Sequence, residues 1–423
     1  MTEKSDSLTC NFCGKTRNSV TKMIAGPGVY ICNECIELSY QILKQDVNEK
    51  STQDKLNLEN IPYPTDMKLI FDEYIIGHSF VKEVLSVSAY NHYKRINTKS
   101  DVEIEKSNIL LLGPTGSGKT LFAKTLSKIL HVPFIVADAT SLTEAGYVGD
   151  DSNSLIEQLI REANYDLEFA QQGIVFIDEI DKKAKRHDSS SNARDVSGEG
   201  VQQSLLRLIE GSSVPVKIPS RKYGDEIVEF DTRNVIFILS GAFVGLDKII
   251  SQRSEASTIG FGSKIATKTS SVQNVTSSDL INYGLIPELV GRIPIICPMD
   301  KLTEKQLVYV MSEVKNNLFD QYKELLKMDD IELEFSDNYA ADVASLAIQQ
   351  DIGARAIKQI IENSLLNIMF RIKEFQETNV KKIVLTKYPS RKENYPELYY
   401  KNNTKEKDKN YKLYRGSNAE TPL

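Results

Sequence analysis

The stretch Gly113-Pro-Thr-Gly-Ser-Gly-Lys-Thr120 decides the fold of this chain. It follows an apolar run at residues 108–112, which predicts a buried strand, and it precedes residues 121–130, whose apolar side chains recur at helical spacing. A strand, a glycine-rich turn and a helix, in this order, are the context in which the pattern G-x-x-x-x-G-K-[S/T] holds the phosphates of a nucleotide. We therefore predict a phosphate-binding loop and an α/β fold around it.

Each residue type in this loop suits one part of nucleotide binding. The glycines let the backbone curl so that its N–H groups point at phosphate oxygens, and the start of the helix adds partial positive charge. We expect Lys119 to contact the β- and γ-phosphates of ATP and the Thr120 hydroxyl to bind Mg²⁺. The predicted nucleotide-binding residues of the loop are Gly113, Pro114, Thr115, Gly116, Ser117, Gly118, Lys119 and Thr120.

An acidic pair follows a second apolar run, at residues 174–177. Such a run predicts a buried strand, and ligands bind at the carboxyl ends of strands in open α/β sheets. We expect Asp178 to hold the hydration shell of Mg²⁺ and Glu179 to orient the attacking water. A strand that merely ends in surface acids is the alternative, but the combination with the phosphate-binding loop favours an ATPase.

Length and charge limit the remaining choices. At 423 residues and a formal net charge of −6, the chain is too long for one core, and its charge disfavours a nucleic-acid-binding machine. No apolar run approaches the roughly 20 residues that span a bilayer, and the N-terminus has no apolar signal core. We therefore expect a cytoplasmic protein that binds neither nucleic acid nor membrane.

Four of the five cysteines are arranged as C-x₂-C-x₁₈-C-x₂-C, which is a zinc-binding spacing. The predicted Zn²⁺ ligands are Cys10, Cys13, Cys32 and Cys35. Two disulfides are the alternative, which the lack of any sign of secretion disfavours. The fifth cysteine, Cys297, lies in an apolar run, and we expect it to be a packed core thiol.

The chain divides by pattern into five segments. A zinc-binding module at residues 1–50 and a polar linker at 51–65 precede an α/β ATPase domain at 66–300, a parallel sheet between helices. An α-rich small domain follows at 301–390, and the lysine-rich residues 391–423 predict a charged, disordered tail. The strands expected in the ATPase domain lie near residues 108–112, 133–137, 173–177 and 234–239.

The cysteine module, the phosphate-binding loop and the acidic pair occur together with several short segments described below. From about residue 8 to about residue 385 this combination resembles the ClpX family, the AAA+ unfoldases of the Clp/Hsp100 group. The resemblance implies an AAA+ P-loop domain with a small C-terminal domain, and ATP, Mg²⁺ and Zn²⁺ as cofactors. It also implies a homohexamer that unfolds tagged proteins, sometimes through adaptors, and feeds them to a ClpP peptidase ring. Chaperone activity without the peptidase is implied as well.

Three segments resemble the family's substrate-contacting loops. Tyr147 and Val148, between glycines, match the first pore loop, and Arg194 begins a match to the second. Arg221 and Lys222 stand where the family has Arg-Lys-His at the pore entrance, with Tyr223 in place of the histidine. Taken from the residues alone, each segment is also compatible with an ordinary surface loop. The tyrosine leaves the preference among degradation tags open.

Further residues take their roles from the same resemblance. Ile259, Gly260 and Phe261 match the tripeptide that docks on the peptidase ring; the alternative is a loop that folds back and buries Phe261. Arg292 matches the arginine that reaches the γ-phosphate on the neighbouring subunit, and Arg355 the sensor-2 arginine that contacts nucleotide in its own chain. Ile75 and Ile76 match the apolar residues beside adenine. Either arginine could instead form a surface ion pair.

Two other functions compete with the unfoldase. A clamp or replication loader of the AAA+ class would require a basic DNA-facing helix, which the sequence does not reveal. A binding adaptor with a decayed ATPase is disfavoured because Lys119, Asp178, Glu179 and Arg292 are all present. The sequence contains no serine elbow and no Ser–His–Asp set, so we expect any proteolysis to come from a partner.

Overall fold

The computed structural model describes residues 8–39, 61–98, 101–102, 104–143, 151–185, 198–219, 225–257, 272–350, 353–390, 394–401 and 404–413. The chain divides into two compact units, Met1–Asn57 and Leu58–Leu423. Among the described residues, no helix is both long enough and apolar enough to cross a membrane.

The first unit is a small hairpin followed by a helix. Strand β1 (Met23–Gly26) pairs antiparallel with β2 (Val29–Cys32), and Met23 lies opposite Cys32. The turn between them contains Gly28, whose φ of 75° suits glycine. Residues 33–39 form helix α1. This arrangement brings the end of β2 and the start of α1 beside the preceding loop, where the Cys10 N–H donates to the Lys15 carbonyl at 2.9 Å.

The second unit begins with two helices and a five-stranded parallel sheet. The helices are α2 (Pro64–Tyr74) and α3 (Ser79–Asn97). The strands of the sheet are β3 (Ile109–Leu112), β4 (Phe134–Asp138), β5 (Ile174–Asp178), β8 (Ile236–Gly241) and β9 (Ile295–Pro298). They lie in the order β4-β5-β8-β3-β9, and every pairing is parallel. This confirms the predicted parallel sheet, to which the structure adds β9.

Helices and one hairpin surround this sheet. The helices are α4 (Lys119–Leu130), α5 (Ser152–Glu162), α6 (Leu167–Gln171), α7 (Glu199–Glu210), α8 (Leu246–Ser257), α9 (Ser277–Tyr283) and α10 (Pro287–Gly291). The hairpin consists of β6 (Ser213–Pro219) and β7 (Asp225–Asp231). Every residue of β3 and β8 is buried because the sheet is covered on both faces, which explains their continuous apolar sequences.

The C-terminal part has its own core, built from five helices and a mixed sheet. The helices are α11 (Glu304–Ser312), α12 (Leu318–Lys327), α13 (Asp337–Gln349), α14 (Ala354–Phe370) and α15 (Ile372–Glu377). The strands are β10 (Glu332–Phe335), β11 (Val380–Leu385), β12 (Glu397–Tyr400) and β13 (Lys405–Lys407), in that order across the sheet. Its buried cluster is separate from the cluster around the parallel sheet.

The predicted disordered tail, 391–423, is wrong for the part of it that the structure describes. Strands β12 and β13 extend the small sheet, and the Tyr411 side chain is buried, with its hydroxyl donating to the Ser364 carbonyl at 2.7 Å. Asp408 is also buried and accepts two hydrogen bonds from Arg371, at 2.7 and 2.9 Å. The average composition of this segment is polar, but a few well-spaced aromatic residues suffice to anchor it. Residues 414–423 lie outside the described residues.

Candidate nucleotide site and zinc centre

The phosphate-binding loop leaves the carboxyl end of β3 and leads directly into α4, as predicted. Gly116 and Gly118 have φ values of 80° and 96°, which favour glycine. A Cβ atom at Gly113 would lie 2.5 Å from the Met299 carbonyl oxygen, so the close approach of β9's end also requires glycine there. The loop thus curls tightly at the first turn of α4, where unpaired backbone N–H groups attract anions.

Lys119, the first residue of α4, points back into the loop. Its ammonium group donates to the carbonyl oxygens of Gly113 at 2.8 Å and Pro114 at 3.0 Å. Burial lowers the pKa of Lys119, and the nearby carboxylate of Asp178 opposes this shift. The charge therefore lies inside the loop, opposite the acidic end of β5.

Asp178 and Glu179 stand at the carboxyl end of β5, beside the phosphate-binding loop. The Asp178 carboxylate accepts a hydrogen bond from the Ser240 hydroxyl, at the end of β8, and one from the Glu179 N–H at 3.0 Å. Glu179 has a φ of 57°, a left-handed conformation that is strained for a non-glycine residue. Such strain is typical of functional sites, and Glu179 lines the cavity described below.

Two residues of this site are missing from the sequence-based prediction. Ser240 is fully buried and bonded to Asp178. Asp181 is buried in the 3₁₀ turn Ile180–Lys183; one of its oxygens accepts from the Phe243 N–H at 3.3 Å, and the other has no hydrogen-bond partner. In the sequence, Ser240 is recognisable only as a polar residue near the end of an apolar run. That it lies beside Asp178 follows from the order of the strands in the sheet, which the sequence does not reveal.

A cavity of about 550 Å³ lies at this site. It is lined by the phosphate-binding loop, the ends of β5 and β8, and the start of α14: Thr115, Gly116, Gly118, Lys119, Thr120, Leu121, Asp178, Glu179, Asp181, Lys182, Ala242, Val244, Ala354 and Arg355. Arg355, at the start of α14, therefore lines the same cavity as Lys119, and its contact with a nucleotide stays a prediction. A second cavity of about 850 Å³ adjoins the other side of the loop and is lined by residues 113–117, 242–245 and 299–303, among others.

Ile75 and Ile76 follow α2, next to this loop. The buried ammonium group of Lys82 donates to the Ile75 carbonyl and to the Asp72 carboxylate, each at 2.6 Å, which fixes the backbone at this point. His78 lies two residues after Ile76; burial lowers the pKa of His78, and the backbone of Ser117 in the loop opposes this shift. Among the described residues, neither isoleucine lines the two cavities.

Arg292 lies at the other end of the strands, away from the phosphate-binding loop. Its carbonyl accepts from the Asn108 side chain at 2.8 Å, and Asn108 immediately precedes β3, whereas the phosphate-binding loop follows that strand. Its guanidinium donates to Glu210, at the end of α7, at 3.0 Å. Arg292 is thus separated from the phosphate-binding loop of its own chain by the length of β3.

Eight predicted site residues lie outside the described residues. They are Tyr147, Val148, Arg194, Arg221, Lys222, Ile259, Gly260 and Phe261. Their roles stay predictions.

The four predicted zinc ligands come together in the first unit. Their sulfur atoms all lie within 4.8 Å of one another, with Cys10 Sγ 3.9 Å from Cys35 Sγ and Cys13 Sγ 3.6 Å from Cys32 Sγ. Sulfur atoms around a tetrahedral Zn²⁺, at about 2.3 Å each, stand about 3.8 Å apart. All five cysteines are free thiols. The spacing of the four sulfur atoms fits a zinc ion better than two disulfides, whose sulfur atoms would lie about 2.05 Å apart.

Three family models match successive parts of the chain. Residues 8–45 match the ClpX C4-type zinc finger, and residues 104–296 match an AAA domain (Cdc48 subfamily), a domain that implies ATPase activity in general. Residues 302–385 match the C-terminal, D2-small domain, of ClpB protein. Taken together, the zinc finger, the AAA domain and the small domain identify the chain as a ClpX-like AAA+ protein of the Clp/Hsp100 family.

Proposed function

We propose that this protein is an ATP-dependent protein unfoldase and translocase that feeds unfolded chains to a ClpP-type peptidase and acts as a chaperone without it. The observation that carries the proposal is the cavity in which Lys119, Asp178, Glu179 and Arg355 meet, in a chain that also carries a ClpX-type zinc finger. An unfoldase requires ATP hydrolysis to be linked to a movable part, and Arg355 belongs to the small domain.

In this proposal the cavity residues divide the chemistry of ATP hydrolysis. Backbone N–H groups of the loop and the Lys119 ammonium would hold the phosphates, while Thr120 and Asp178 would hold Mg²⁺, which would supply positive charge to balance that of the phosphates. Glu179, which lines the cavity, orients the attacking water and accepts its proton. Ser240 holds Asp178 in register with the loop.

The two arginines act on different nucleotides. Arg355 lies in the cavity of its own chain, so loss of the γ-phosphate releases one contact between the small domain and the ATPase core. Arg292, at the amino end of the strands, acts in the nucleotide site of a neighbouring subunit, where its guanidinium stabilises the phosphoryl group being transferred. This division requires a ring, and we propose a homohexamer.

Substrate contact and peptidase docking belong to the loops outside the described residues. We propose that Tyr147 and Val148 grip the chain, that Arg194, Arg221 and Lys222 attract its tag, and that residues 259–261 dock on the peptidase. Tagged proteins in the cytoplasm, with or without adaptors, are the proposed substrates.

ATP turnover measured with different effectors tests this proposal against a DNA loader. The unfoldase account predicts stimulation by a tagged protein and no response to duplex or primed DNA. It also predicts that degradation appears only when a ClpP ring is added and disappears in Phe261→Ala, whose ATP turnover stays normal. Stimulation by DNA without any response to protein would replace the unfoldase with a loader.

A further inference from the structure

One fully buried glutamine, Gln202, joins three segments of the ATPase domain: its own helix α7, the turn that ends at Lys183, and residues 284–286. It lies in α7, and its side chain is 0% exposed. Its amide nitrogen donates to the carbonyl oxygens of Lys183 at 2.7 Å and Gly284 at 3.3 Å, and its amide oxygen accepts from the Ile286 N–H at 2.8 Å. Glutamine is rarely buried this completely, and an apolar residue would fill the same space without these bonds.

The two segments to which Gln202 of α7 bonds belong to different parts of the proposed ATPase site. Lys183 ends the 3₁₀ turn Ile180–Lys183, which directly follows Asp178 and Glu179. Ile286 is the residue before α10, the helix that ends immediately before Arg292. One side chain therefore connects the acidic end of β5 with the segment that carries Arg292.

The same three segments also pack directly on one another. The Lys185 N–H donates to the Gly284 carbonyl at 2.9 Å. A Cβ atom at Gly198, the residue before α7, would lie 2.9 Å from the Lys183 carbonyl oxygen, and one at Gly284 would lie 2.4 Å from the Lys185 carbonyl oxygen. This junction has no room for one segment to move while the others stay in place.

The other end of α7 contacts Arg292 itself. Asn108 donates from its amide both to the Ile209 carbonyl, in the last turn of α7, at 3.2 Å and to the Arg292 carbonyl at 2.8 Å. Glu210, the last residue of α7, accepts from the Arg292 guanidinium. Helix α7 is thus bonded at its start to the acidic turn and at its end to the arginine.

We propose that Gln202 is a positioning residue that couples the acidic end of β5 in one subunit to the arginine which that subunit offers to its neighbour. This inference rests on the proposed function, specifically on Arg292 acting in the adjacent nucleotide site. A change in the turn after Glu179 shifts α7 and α10 together through Gln202, and so moves Arg292. A displacement of about 1 Å at a catalytic group reduces a rate by about 10²-fold.

Rings assembled from two kinds of subunit separate the roles. A Glu179→Gln subunit cannot hydrolyse ATP at its own site but still offers Arg292 to its neighbour. An Arg292→Ala subunit keeps its own hydrolytic site but offers no arginine. If Arg292 acts on the neighbour, equal mixtures of the two hydrolyse ATP faster than either alone. If this mixture stays inactive, the trans role of Arg292 fails, whatever Gln202 does.

Gln202→Met, which keeps the length and removes the hydrogen bonds, is then tested in the same mixtures. The proposal predicts that Gln202→Met regains ATP turnover when mixed with Glu179→Gln, as Arg292→Ala does. It further predicts that the double variant Glu179→Gln/Gln202→Met no longer rescues Arg292→Ala, with turnover lower by about 10²-fold. Rescue by that double variant, or normal turnover of Gln202→Met alone, would overturn the proposal.

The neighbouring glutamine provides the matched control. Gln203 is exposed on the same helix, so Gln203→Met is expected to behave as wild type in every mixture. If Gln202→Met does not assemble, Gln202→Asn replaces it, because the shorter amide keeps its polarity but cannot reach all three partners. Thermal melting and ring size by light scattering establish that the rings compared are intact.

Discussion

At the residue scale, the site depends on a hydrogen bond between neighbouring strands. Ser240 and Asp178 end β8 and β5, which are adjacent and parallel, so their side chains meet at the same edge of the sheet. Ser240 is fully buried whereas Asp178 is partly exposed, and the Asp178 carboxylate faces Lys119 across the loop. The serine thus fixes the orientation of the carboxylate that we assign to Mg²⁺.

Ser240→Ala is expected to lower the kcat for ATP hydrolysis by about 10- to 100-fold, since a hydrogen bond to a charged group contributes about 1.5–3 kcal/mol. The protein should remain folded, because the methyl group fits the buried site. Steady-state ATPase kinetics measure the effect. Ser251→Ala, which removes a hydroxyl bonded within α8, serves as the control. A wild-type kcat for Ser240→Ala would remove Ser240 from the site.

His92 in α3 predicts a pH dependence of stability. Its Nε2 lies 2.9 Å from the Asn234 carbonyl, and its Nδ1 is buried without a partner. Burial lowers the pKa of His92 to about 3. The positive charges of Arg95 and Lys106 add to this decrease, while the contact with the Asn234 carbonyl opposes it. The unfolded chain, with a pKa near 6.5, therefore binds a proton that the folded chain does not.

The contribution of His92 to stability is thus present above about pH 6.5 and is lost as the pH falls toward 3. Between pH 7 and pH 5 the loss amounts to about 2 kcal/mol. Chemical denaturation at both pH values measures it, and His92→Gln, which can still donate to the Asn234 carbonyl, should show a smaller loss. An equal loss in both proteins would mean that other groups carry the acid sensitivity.

At the scale of elements, strands β12 and β13 attach the end of the chain to the small domain. Their anchors are Tyr411, inserted into the core, and the Arg371–Asp408 ion pair. Tyr411 and Asp408 lie beyond residue 385, where the family match ends, whereas Arg371 lies within the matched range. The small domain of this chain therefore depends on a segment that the match does not include.

Tyr411→Ala is expected to destabilise the small domain by about 3–5 kcal/mol, the usual effect of removing a buried aromatic side chain. Lys412→Ala, at the exposed neighbouring position, should have little effect. Hydrogen exchange of α14 and β11 localises the change, since both pack against this segment. Equal protection in the two variants would indicate that the segment contributes nothing to the core.

The sequence predicts those elements whose signals are local. The glycine loop, its strand and its helix are continuous in sequence, and so are the two C-x-x-C pairs. Strand β9 and the partnership of Ser240 with Asp178 depend on sheet order, which no local pattern contains. The composition of residues 391–423, rich in lysine and asparagine, predicts a tail, whereas the burial of this segment depends on a few tyrosines and one paired aspartate.

At the scale of the whole molecule, the zinc-binding unit and the ATPase unit are two compact units. The first has a two-stranded hairpin and little core, so we expect its folding to depend on the metal.

Removal of zinc by a chelator, or Cys32→Ser, is expected to unfold the hairpin and helix at residues 8–39 and leave basal ATP turnover unchanged. Metal analysis should find one zinc ion per chain in the wild type and less in the variant, and limited proteolysis should cleave only the first unit. Ser19→Ala, outside the cysteine cluster, is the control. Parallel loss of ATP turnover would show that the two units are energetically coupled.

The central claim is that ATP hydrolysis by this protein unfolds other proteins, and fluorescence of a tagged green fluorescent protein measures it most directly. The account predicts that the fluorescence falls with ATP, stays constant without nucleotide, and stays constant with Glu179→Gln, which binds ATP without hydrolysing it. Steady ATP turnover by the wild-type ring with no loss of fluorescence from any tagged substrate would contradict the account.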